Sequence, residues 1–311
     1  MTHIKSLKHT PLSRFAFGTM QFGGTADESA SAAMFDASCE AGINHFDTAH
    51  IYTNGRSETL LGGFIKDQRD DLVIATKVAY DGNGDPAKMQ SDFDISRQRL
   101  DMDQVDILYL HQNVGDDLPR AMEWLAAQQT AGIIRYIGLS NFASWQVMKA
   151  VSLAHDLGTR IDIIQPMYNL VKRQAEVELL PMCSDQGITC ASYSPLGGGL
   201  LTGKYNDGAG QGRLATDPRY NKRYSLDFMH ETAHALADLS AEIGVNAATL
   251  AAAWVARHES APNPILSARS VEQLRPSLDA MSFEMDDALY ARIEALSPTP
   301  PPATDRWEER S

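Results

Sequence analysis

Short apolar runs rich in valine, isoleucine and tyrosine recur along the 311-residue chain, each followed by a polar or glycine-containing turn. The eight runs are 15–20, 43–48, 72–77, 105–111, 134–140, 161–166, 188–194 and 264–269. Segments with helical spacing of apolar residues lie between or after them, at 30–41, 87–100, 118–131, 143–157, 174–186 and 271–281. Continuous apolar strands that alternate with helices indicate a parallel sheet covered on both faces. Eight such units predict an α/β fold of the (β/α)8 TIM-barrel type rather than an open doubly wound sheet.

The segments outside this repeat are short, apart from one long interval before the last run. Residues 3–13 are too few for another unit, so they predict a small hairpin at the base of the barrel. The long interval holds a glycine-rich loop (197–225) and two extra helices (228–243 and 246–258). Residues 297–311 form a proline-rich tail whose start cannot be helical. Because no linker divides the chain, we expect one domain over residues 1–311.

Composition narrows the class of protein. A net charge of −13 argues against nucleic acid or an anionic membrane as a partner. The N-terminal residues lack the apolar core of a secretory signal, and no window is apolar for long enough to cross a bilayer. The three cysteines, Cys39, Cys183 and Cys190, have no metal-ligand spacing and indicate reduced thiols. A cytoplasmic protein is the resulting expectation.

Polar and ionisable residues stand at the carboxyl ends of the predicted strands, where barrels of this kind carry their active sites. They are Thr19, Asp47, Lys77, His111, Ser140, Gln165, Tyr193 and Ser267. A buried aspartate or lysine is rare unless it is paired, so Asp47 and Lys77 on neighbouring strands are expected to pair with each other. Tyr52 follows five residues after Asp47, which is near enough for the loop to fold its phenol over the barrel mouth.

This group of side chains predicts proton donation to a carbonyl. An ammonium at Lys77 would favour the phenolate of Tyr52 and lower its pKa toward the range of a working proton donor, while His111 would orient the carbonyl oxygen. Taken singly, each residue has a more ordinary explanation: a cap or turn for Asp47, a surface chain for Lys77, a core histidine for His111 and a surface ring for Tyr52. Their coincidence at consecutive strand ends favours the chemical interpretation.

Motifs along the chain resemble those of the aldo-keto reductase family, from about residue 12 to residue 281. "GINHFDTAHIYTNGRSETLLG", "VIATKV" and "SRQRLDMDQVDILYLH" correspond to that family's aspartate, tyrosine, lysine and histidine segments. "GIIRYIGLSNF", "PMYNL", "YSPLGGGLLTGKY" and "ARSVEQL" follow in family order. The resemblance implies a barrel enzyme that reduces an aldehyde or ketone to an alcohol, reversibly, with a nicotinamide cofactor.

The resemblance also implies roles for individual residues. The catalytic group falls on Asp47, Tyr52, Lys77 and His111, with Tyr52 as general acid, Lys77 as its charge partner and Asp47 holding Lys77. The cofactor contacts fall on Thr19, Met20, Asp47, Ser140, Asn141, Gln165, Tyr193, Ser194, Leu196, Gly198, Lys204, Ser267, Arg269 and Gln273. Of these, Ser140, Asn141 and Gln165 would bond the nicotinamide carboxamide, on whose ring Tyr193 would stack. Ser194, Leu196 and Gly198 would approach the pyrophosphate.

Local basic charge favours NADPH over NADH. Residues 204–223 carry only two acidic residues, Asp207 and Asp217, against Lys204, Arg213, Arg219, Lys222 and Arg223. The family's 2′-phosphate position falls on Arg269, near the start of a helix whose backbone N–H groups favour an anion. Ser270 and Gln273 have capping-box spacing, so helix capping accounts for part of this signal. Serine stands at 267 and 277, where the family usually has glycine and asparagine, so the cofactor preference is less firm than the chemistry. No G-x-G-x-x-G follows the first run, which argues against a Rossmann domain.

Two other functions remain open. "HETAH" at 230–234 has the HExxH spacing of zinc hydrolases, but the third histidine of the longer pattern is missing, so that function is a remote alternative and no metal is expected. The other is an NADPH-binding sensor or interaction module on the same fold, with slow turnover. A small-molecule carbonyl substrate is expected, but its identity and the oligomeric state stay open. Candidates for the pocket rim are Phe22, Tyr80, Asn113, Phe142, Tyr224 and Trp307.

Overall fold

Eight parallel strands form one sheet in which each strand pairs with its neighbour along the chain and β1 also pairs with β8. The structure is a computed structural model, and it describes residues 2–206 and 212–304. Asp207 and Trp307, named above, lie outside the described residues. The strands are β1 (Ala16–Gly18), β2 (His45–Asp47), β3 (Val73–Val78), β4 (Val105–Leu110), β5 (Ile134–Ser140), β6 (Ile163–Gln165), β7 (Thr189–Cys190) and β8 (Ile265–Leu266).

Main-chain hydrogen bonds close this sheet into a barrel. The Ser192 N–H donates to the Asn263 carbonyl (3.0 Å), and the Ile265 N–H donates to the Ser192 carbonyl (2.8 Å), which joins the end of β7 to β8. A parallel bridge between Tyr193 and Ile265 continues this contact. The predicted (β/α)8 barrel is therefore confirmed. The seventh apolar run is a regular strand over only two residues, because its later residues bond to both neighbours in an irregular pattern.

The interior of the barrel is filled by side chains from alternate strand positions. They belong to one buried cluster: Ala16, Val73, Ala75, Ile107, Tyr109, Ile163, Ala191 and Ile265. Ile4 and Leu12 join this cluster from the N-terminal segment, where Lys5 and Pro11 form an antiparallel bridge. The predicted hairpin is therefore present, and its apolar side chains plug the base of the barrel.

Tyr109 and Gly138 fit together inside the barrel. The Tyr109 ring is fully buried, and a Cβ at residue 138 would lie 2.6 Å from its Cε1 atom. A contact that short does not occur between real carbon atoms, so residue 138 has no space for a side chain while the tyrosine ring is there. The glycine thus makes room for an aromatic ring in the middle of the barrel.

Twelve helices occur within the described ranges, and most match the predicted segments. They are α1 (Glu28–Glu40), α2 (Arg56–Phe64), α3 (Pro86–Leu100), α4 (Leu118–Thr130), α5 (Ser144–Asp156), α6 (Leu179–Gln186), α7 (Arg213–Thr216), α8 (Pro218–Arg223), α9 (Asp227–Ile243), α10 (Ala247–Arg257), α11 (Val271–Asp279) and α12 (Asp287–Glu294). The two extra helices predicted before the last strand are α9 and α10. No single helix in the described residues is long and apolar enough to cross a bilayer; α9 and α10 pass that test only as a pair bent by 104°.

Several helix ends follow from local side-chain chemistry. Asp27, Asp85 and Asp286 cap α1, α3 and α12 through carboxylates that accept backbone N–H bonds. Gly244 ends α9 in the left-handed conformation, at φ +70°.

Other elements differ from the sequence expectation. The helix predicted over 174–186 is divided, with a 3-10 turn at Gln174–Glu176 and α6 from Leu179. A helix running through from 174 would need the N–H that Pro181 lacks, whereas in α6 this proline falls in the first turn. The glycine-rich loop contains the short helices α7 and α8, and neither α2 nor α12 was expected.

Candidate active site

The carboxyl ends of β2, β3 and β4 bring Asp47, Lys77 and His111 to one rim of the barrel. The three strands are parallel and directly paired, with Asp47 opposite Ala75 and Lys77 opposite Tyr109. Tyr52 lies on the loop between β2 and α2, whose chain folds back over this rim. The four side chains are therefore neighbours, as the strand-end pattern predicted.

Lys77 is the centre of this group. The residue is 1% exposed, and its ammonium forms an ion pair with the carboxylate of Asp47, a residue that is 2% exposed. The same ammonium donates to the Thr48 carbonyl at 2.7 Å and to the Tyr52 hydroxyl at 3.4 Å. Gln165 donates to the other oxygen of Asp47 at 2.8 Å. Each of the three ammonium hydrogens therefore has an acceptor, and the expected pairing of lysine and aspartate is present.

Burial shifts the pKa of this lysine and of Tyr52 in the direction that disfavours charge. It lowers the pKa of Lys77 from 10.5, although the carboxylate of Asp47 opposes that shift. It raises the pKa of Tyr52 well above 10.0, and the charge of Asp47 adds to the effect. The prediction of a lowered pKa for Tyr52 is therefore wrong, because burial outweighs the neighbouring positive charge. Asp47 already balances the ammonium, so little positive charge is left to offset the cost of a buried phenolate.

His111 is a neutral imidazole beside the phenol. Burial, and then the charge of Lys77, lower its pKa from 6.5 to about 3. Its ring lies edge-on to the rings of Tyr52 and Tyr80, with centroid distances of 5.9 and 5.1 Å. Nδ1 of His111 is buried without a hydrogen-bond partner among the described residues. A phenol O–H and a neutral imidazole thus lie side by side, and both can donate to an oxygen placed between them.

A cavity of about 250 Å³ opens beside this group, lined in part by His50, Ile51, Lys77 and Tyr80. It lies between the loops that follow β2 and β3. The cavity adjoins Lys77 and Tyr80, so a concave surface of the kind that holds small molecules lies next to the group.

The residues expected at the nicotinamide end form a connected rim across β5, β6 and β7. Tyr193 donates to the side-chain oxygen of Asn141 at 2.7 Å, and Asn141 donates to the His111 carbonyl at 2.9 Å. Ser140 donates to the main-chain carbonyl of Gln165 at 3.0 Å. These amide, hydroxyl and ring groups lie next to His111 and Asp47, so a flat heterocycle bound there would adjoin the phenol.

Thr19 and Met20 follow β1 on the other side of this rim. Thr19 is fully buried, and its hydroxyl bonds to the Asp47 carbonyl (3.1 Å) and the Ser57 hydroxyl (2.8 Å). Its side chain therefore supports the end of β2 instead of facing the mouth. Met20 is partly exposed beside it.

The residues expected at the phosphate end gather around the turn after β7. Ser194 and Gly198 have left-handed backbones at φ +60° and +66°, and Leu196 lies between them. A Cβ at Gly198 would lie 2.9 Å from the Tyr220 ring, so only glycine leaves the main chain open here. Burial lowers the pKa of Lys204, and the charges of Arg269 and Arg213 lower it further. No carboxylate lies within salt-bridge distance of these three cations in residues 2–206 and 212–304.

Some sequence expectations need correction at this end of the site. Arg219 forms an ion pair with Asp217 at 3.1 Å, so it does not belong to the free cations. Ser267 is exposed at the end of β8. Gln273 is also exposed, and its backbone N–H bonds to the Ser270 hydroxyl at 3.3 Å, so the predicted cap of α11 is present.

A residue that the sequence did not single out is Tyr220, whose ring lies between the guanidinium groups of Arg213 (4.6 Å) and Arg223 (5.0 Å).

The predicted aromatic rim is only partly present. Tyr80 is 40% exposed beside His111, and Asn113 is partly exposed on the next loop. Phe22, Phe142 and Tyr224 are instead buried, at 0%, 6% and 1% exposure. These three rings belong to the core between barrel and helices, which is the commoner position for aromatic side chains.

The HETAH segment lies on α9. Nε2 of His230 is 2.9 Å from the Tyr224 carbonyl oxygen, and His234 is exposed. The part of the chain that the structure describes contains no group of three or more residues placed to hold a metal ion. His230 therefore acts as a support for the end of α8.

Comparison with known proteins gives a consistent result over nearly the whole chain. The family model described as "Aldo/keto reductase family" matches residues 14–298. The chain is similar to "Probable voltage-gated potassium channel subunit beta" of Oryza sativa subsp. japonica, at 31% identity over 95% of this chain and 96% of that protein. It is 31% identical to "Uncharacterized oxidoreductase YrpG" of Bacillus subtilis (strain 168), over 93% of both chains. "Aflatoxin B1 aldehyde reductase member 2" of Rattus norvegicus is 35% identical over 85% of this chain and 78% of its own.

Proposed function

Because the chain belongs to the aldo/keto reductase family, we propose that it is an oxidoreductase that reduces an aldehyde or ketone to an alcohol with NADPH. The observation that carries this proposal is the buried ammonium of Lys77, held by Asp47 directly below the phenol of Tyr52. A buried ion pair is costly to keep unless its charges have further partners or a function. Relatives named as oxidoreductases and aldehyde reductases support the same reaction class.

In this proposal Tyr52 is the general acid. Because burial raises the pKa of its phenol, Tyr52 is protonated throughout the neutral range and can give its proton to the carbonyl oxygen. When bound, the reduced nicotinamide supplies the hydride that adds to the carbonyl carbon. The phenolate left on Tyr52 would keep the hydrogen bond that the Lys77 ammonium donates to the Tyr52 hydroxyl at 3.4 Å. Neutral His111 donates a second hydrogen bond to the carbonyl oxygen of the substrate and fixes the position of that oxygen.

Basic residues at the phosphate end support the choice of NADPH over NADH in this proposal. The charges of Arg213 and Arg269 are close enough to lower the pKa of Lys204. No carboxylate pairs with any of these three cations in the described residues. Three like charges repel unless an anion lies among them, and the 2′-phosphate and pyrophosphate of NADPH are such anions. The open backbone at Gly198 would admit the pyrophosphate.

Replacement of Tyr52 by phenylalanine tests the assignment. We expect Tyr52→Phe to lose about a thousandfold in kcat, which is the range for a general acid, and to keep its affinity for NADPH. NADPH oxidation with a panel of aldehydes and fluorescence titration of the cofactor measure these two quantities. Tyr136→Phe is the matched control, because that hydroxyl contacts the Lys5 N–H at the opposite end of the barrel. Equal turnover by Tyr52→Phe and the wild-type protein would refute the role of this residue.

A second candidate is an NADPH-binding sensor with slow turnover. Relatives named as potassium channel β subunits favour it, since their names describe an assembly and not a catalytic step. Single-turnover mixing separates the two functions: hydride transfer much slower than cofactor exchange would favour the sensor. We also propose a cytoplasmic location, because Cys39, Cys183 and Cys190 are free thiols.

A further inference from the structure

The turn that follows Tyr52 is strained. Thr53, Asn54 and Gly55 are consecutive residues with left-handed backbones, at φ +47°, +54° and +90°. Side chains disfavour this conformation, so a non-glycine pair in it persists only where the surroundings hold it. The general acid proposed above thus stands directly before a turn that needs external support.

Arg99, from the last turn of α3, provides that support from below. Its Nη1 atom donates to the His50 carbonyl at 2.9 Å and to the Glu58 carboxylate at 3.1 Å. The guanidinium also packs against Gly55, where a Cβ would lie 2.7 Å from Nη1. The loop from His50 to Glu58, which carries Tyr52, is therefore fixed on both sides of the strained turn by one side chain of another element.

Glu58 connects the same support to the lysine strand. Its side chain is fully buried at the start of α2, and its second carboxylate oxygen accepts the Thr76 hydroxyl at 2.6 Å. Thr76 immediately precedes Lys77 on β3. The negative charge of Glu58 also opposes the burial that lowers the pKa of Lys77. One carboxylate therefore links the loop of the phenol to the strand of the ammonium.

We propose that Arg99 and Glu58 are positioning residues that hold the strained turn, so that the Tyr52 hydroxyl stays within reach of Lys77. The proposal rests on the proposed reductase function. Neither residue touches the reacting atoms; both act through the main chain of the Tyr52 loop. A misplacement of about 1 Å in a proton donor can reduce turnover about a hundredfold, which sets the size of the expected effect.

Substitution of Arg99 is the direct test. We expect Arg99→Met to lose about a hundredfold in kcat while the Kd for NADPH is unchanged, because Arg99 bonds to His50 and Glu58 and to none of the expected cofactor residues. Arg99→Lys should recover part of the rate, since an ammonium can still donate to Glu58 and the His50 carbonyl. Arg97→Met is the matched control: Arg97 lies on the same helix, but donates to the Asp103 carbonyl and Asp94 instead. Wild-type kcat in Arg99→Met would overturn the proposal.

A double variant separates positioning from general stability. Arg99→Met leaves the carboxylate of Glu58 buried without its cation, which destabilises the fold. Glu58→Gln combined with Arg99→Met removes that unpaired charge but does not restore the bond to the His50 carbonyl. We expect the melting temperature to recover in the double variant while kcat stays low. Recovery of both quantities together would assign the residues a merely structural role and overturn the proposal.

Hydrogen exchange gives a readout that needs no turnover. Amides of residues 50–57 should exchange faster in Arg99→Met than in Arg97→Met or the wild-type protein. If the wild-type protein reduces no carbonyl compound, the proposed function fails, and this exchange measurement still decides whether Arg99 holds the turn. Unchanged exchange in Arg99→Met would overturn the positioning role whatever the activity.

Discussion

The ion pair between Lys77 and Asp47 permits a quantitative test of how the site is built. Both residues are almost completely buried, at 1% and 2% exposure, and in the described part of the chain the ammonium bonds to Asp47, the Thr48 carbonyl and the Tyr52 hydroxyl. Removal of one member of such a pair leaves an uncompensated charge and costs about 3–5 kcal/mol. We therefore expect Asp47→Asn and Lys77→Met each to lower the free energy of unfolding by that amount.

The double variant should lose much less than the sum of the two single variants. Without either charge, the site holds a neutral pair of similar volume, which is often close to neutral in stability. The resulting coupling energy of about 3 kcal/mol or more is measured by urea unfolding of the cofactor-free protein, followed by circular dichroism. Additive losses, or single variants within about 1 kcal/mol of wild type, would refute the view that two charges compensate each other here.

The pH dependence of Asp47→Asn gives a second check on the same variant. Without Asp47, the burial that lowers the pKa of Lys77 is less opposed, whereas the unfolded chain keeps a pKa near 10.5. Between the lowered pKa of the folded state and 10.5, the unfolded state then binds more protons than the folded state, so the free energy of unfolding rises with pH in that interval. The wild-type protein should show a weaker rise.

Two further predictions concern other residues. His45 is buried with neither ring nitrogen bonded among the described residues, and burial lowers its pKa from 6.5 to about 4. The free energy of unfolding should therefore fall on acidification from pH 6.5 to 4. His45→Leu should remove about 3 kcal/mol of that fall, as measured by urea unfolding at several pH values. An unchanged acid dependence in His45→Leu would contradict this. Arg269→Ala should weaken NADPH binding by about 2 kcal/mol and leave NADH binding unchanged in fluorescence titrations, because only NADPH has a 2′-phosphate. Equal losses for both cofactors would count against the phosphate role of Arg269.

The barrel and the catalytic group could be predicted from the sequence because both follow from a repeat. Strands buried on both faces give continuous apolar runs, so β3, β4 and β5 were found to within one residue of their observed ends. The polar residue at the carboxyl end of each run then marks the rim, and this was enough to bring Asp47, Lys77 and His111 together. No knowledge of loop structure was needed for these positions.

Elements that depend on tertiary contact escaped the sequence. Helix α2 contains Gly62 and Gly63, and glycine disfavours a helix. A Cβ at Gly62 would, however, lie 2.5 Å from the Leu100 carbonyl oxygen. Glycine is therefore required where α2 crosses the end of α3. Arg99 and Glu58 were missed for a similar reason, since they are far apart in sequence and only the fold brings them together. Ser57 and Glu58, which follow the Tyr52 turn, were only a weak signal for such a contact, because an acidic residue also suits the first turn of any helix.

The pKa of Tyr52 was mispredicted because sequence gives charges without their surroundings. Neighbouring strands indicated that the Lys77 ammonium would lie near the phenol and pair with Asp47, but not that burial would exclude water from the phenol. That burial is the first cause of the raised pKa, and the charge of Asp47 adds to it. The same limit explains Phe22 and Tyr224, whose positions in loops suggested a rim and whose rings pack into the core.

Because Tyr109 fills the space left by Gly138, the residue that β4 can hold at 109 depends on the residue that β5 holds at 138. Any larger residue at 138 would expel the ring, and a smaller residue at 109 would leave a void next to a bare backbone. Attempts to reshape the centre of the barrel, for example to bind a synthetic chromophore, should therefore substitute residues 109 and 138 together. Neither position can be altered first without passing through a poorly folded intermediate sequence.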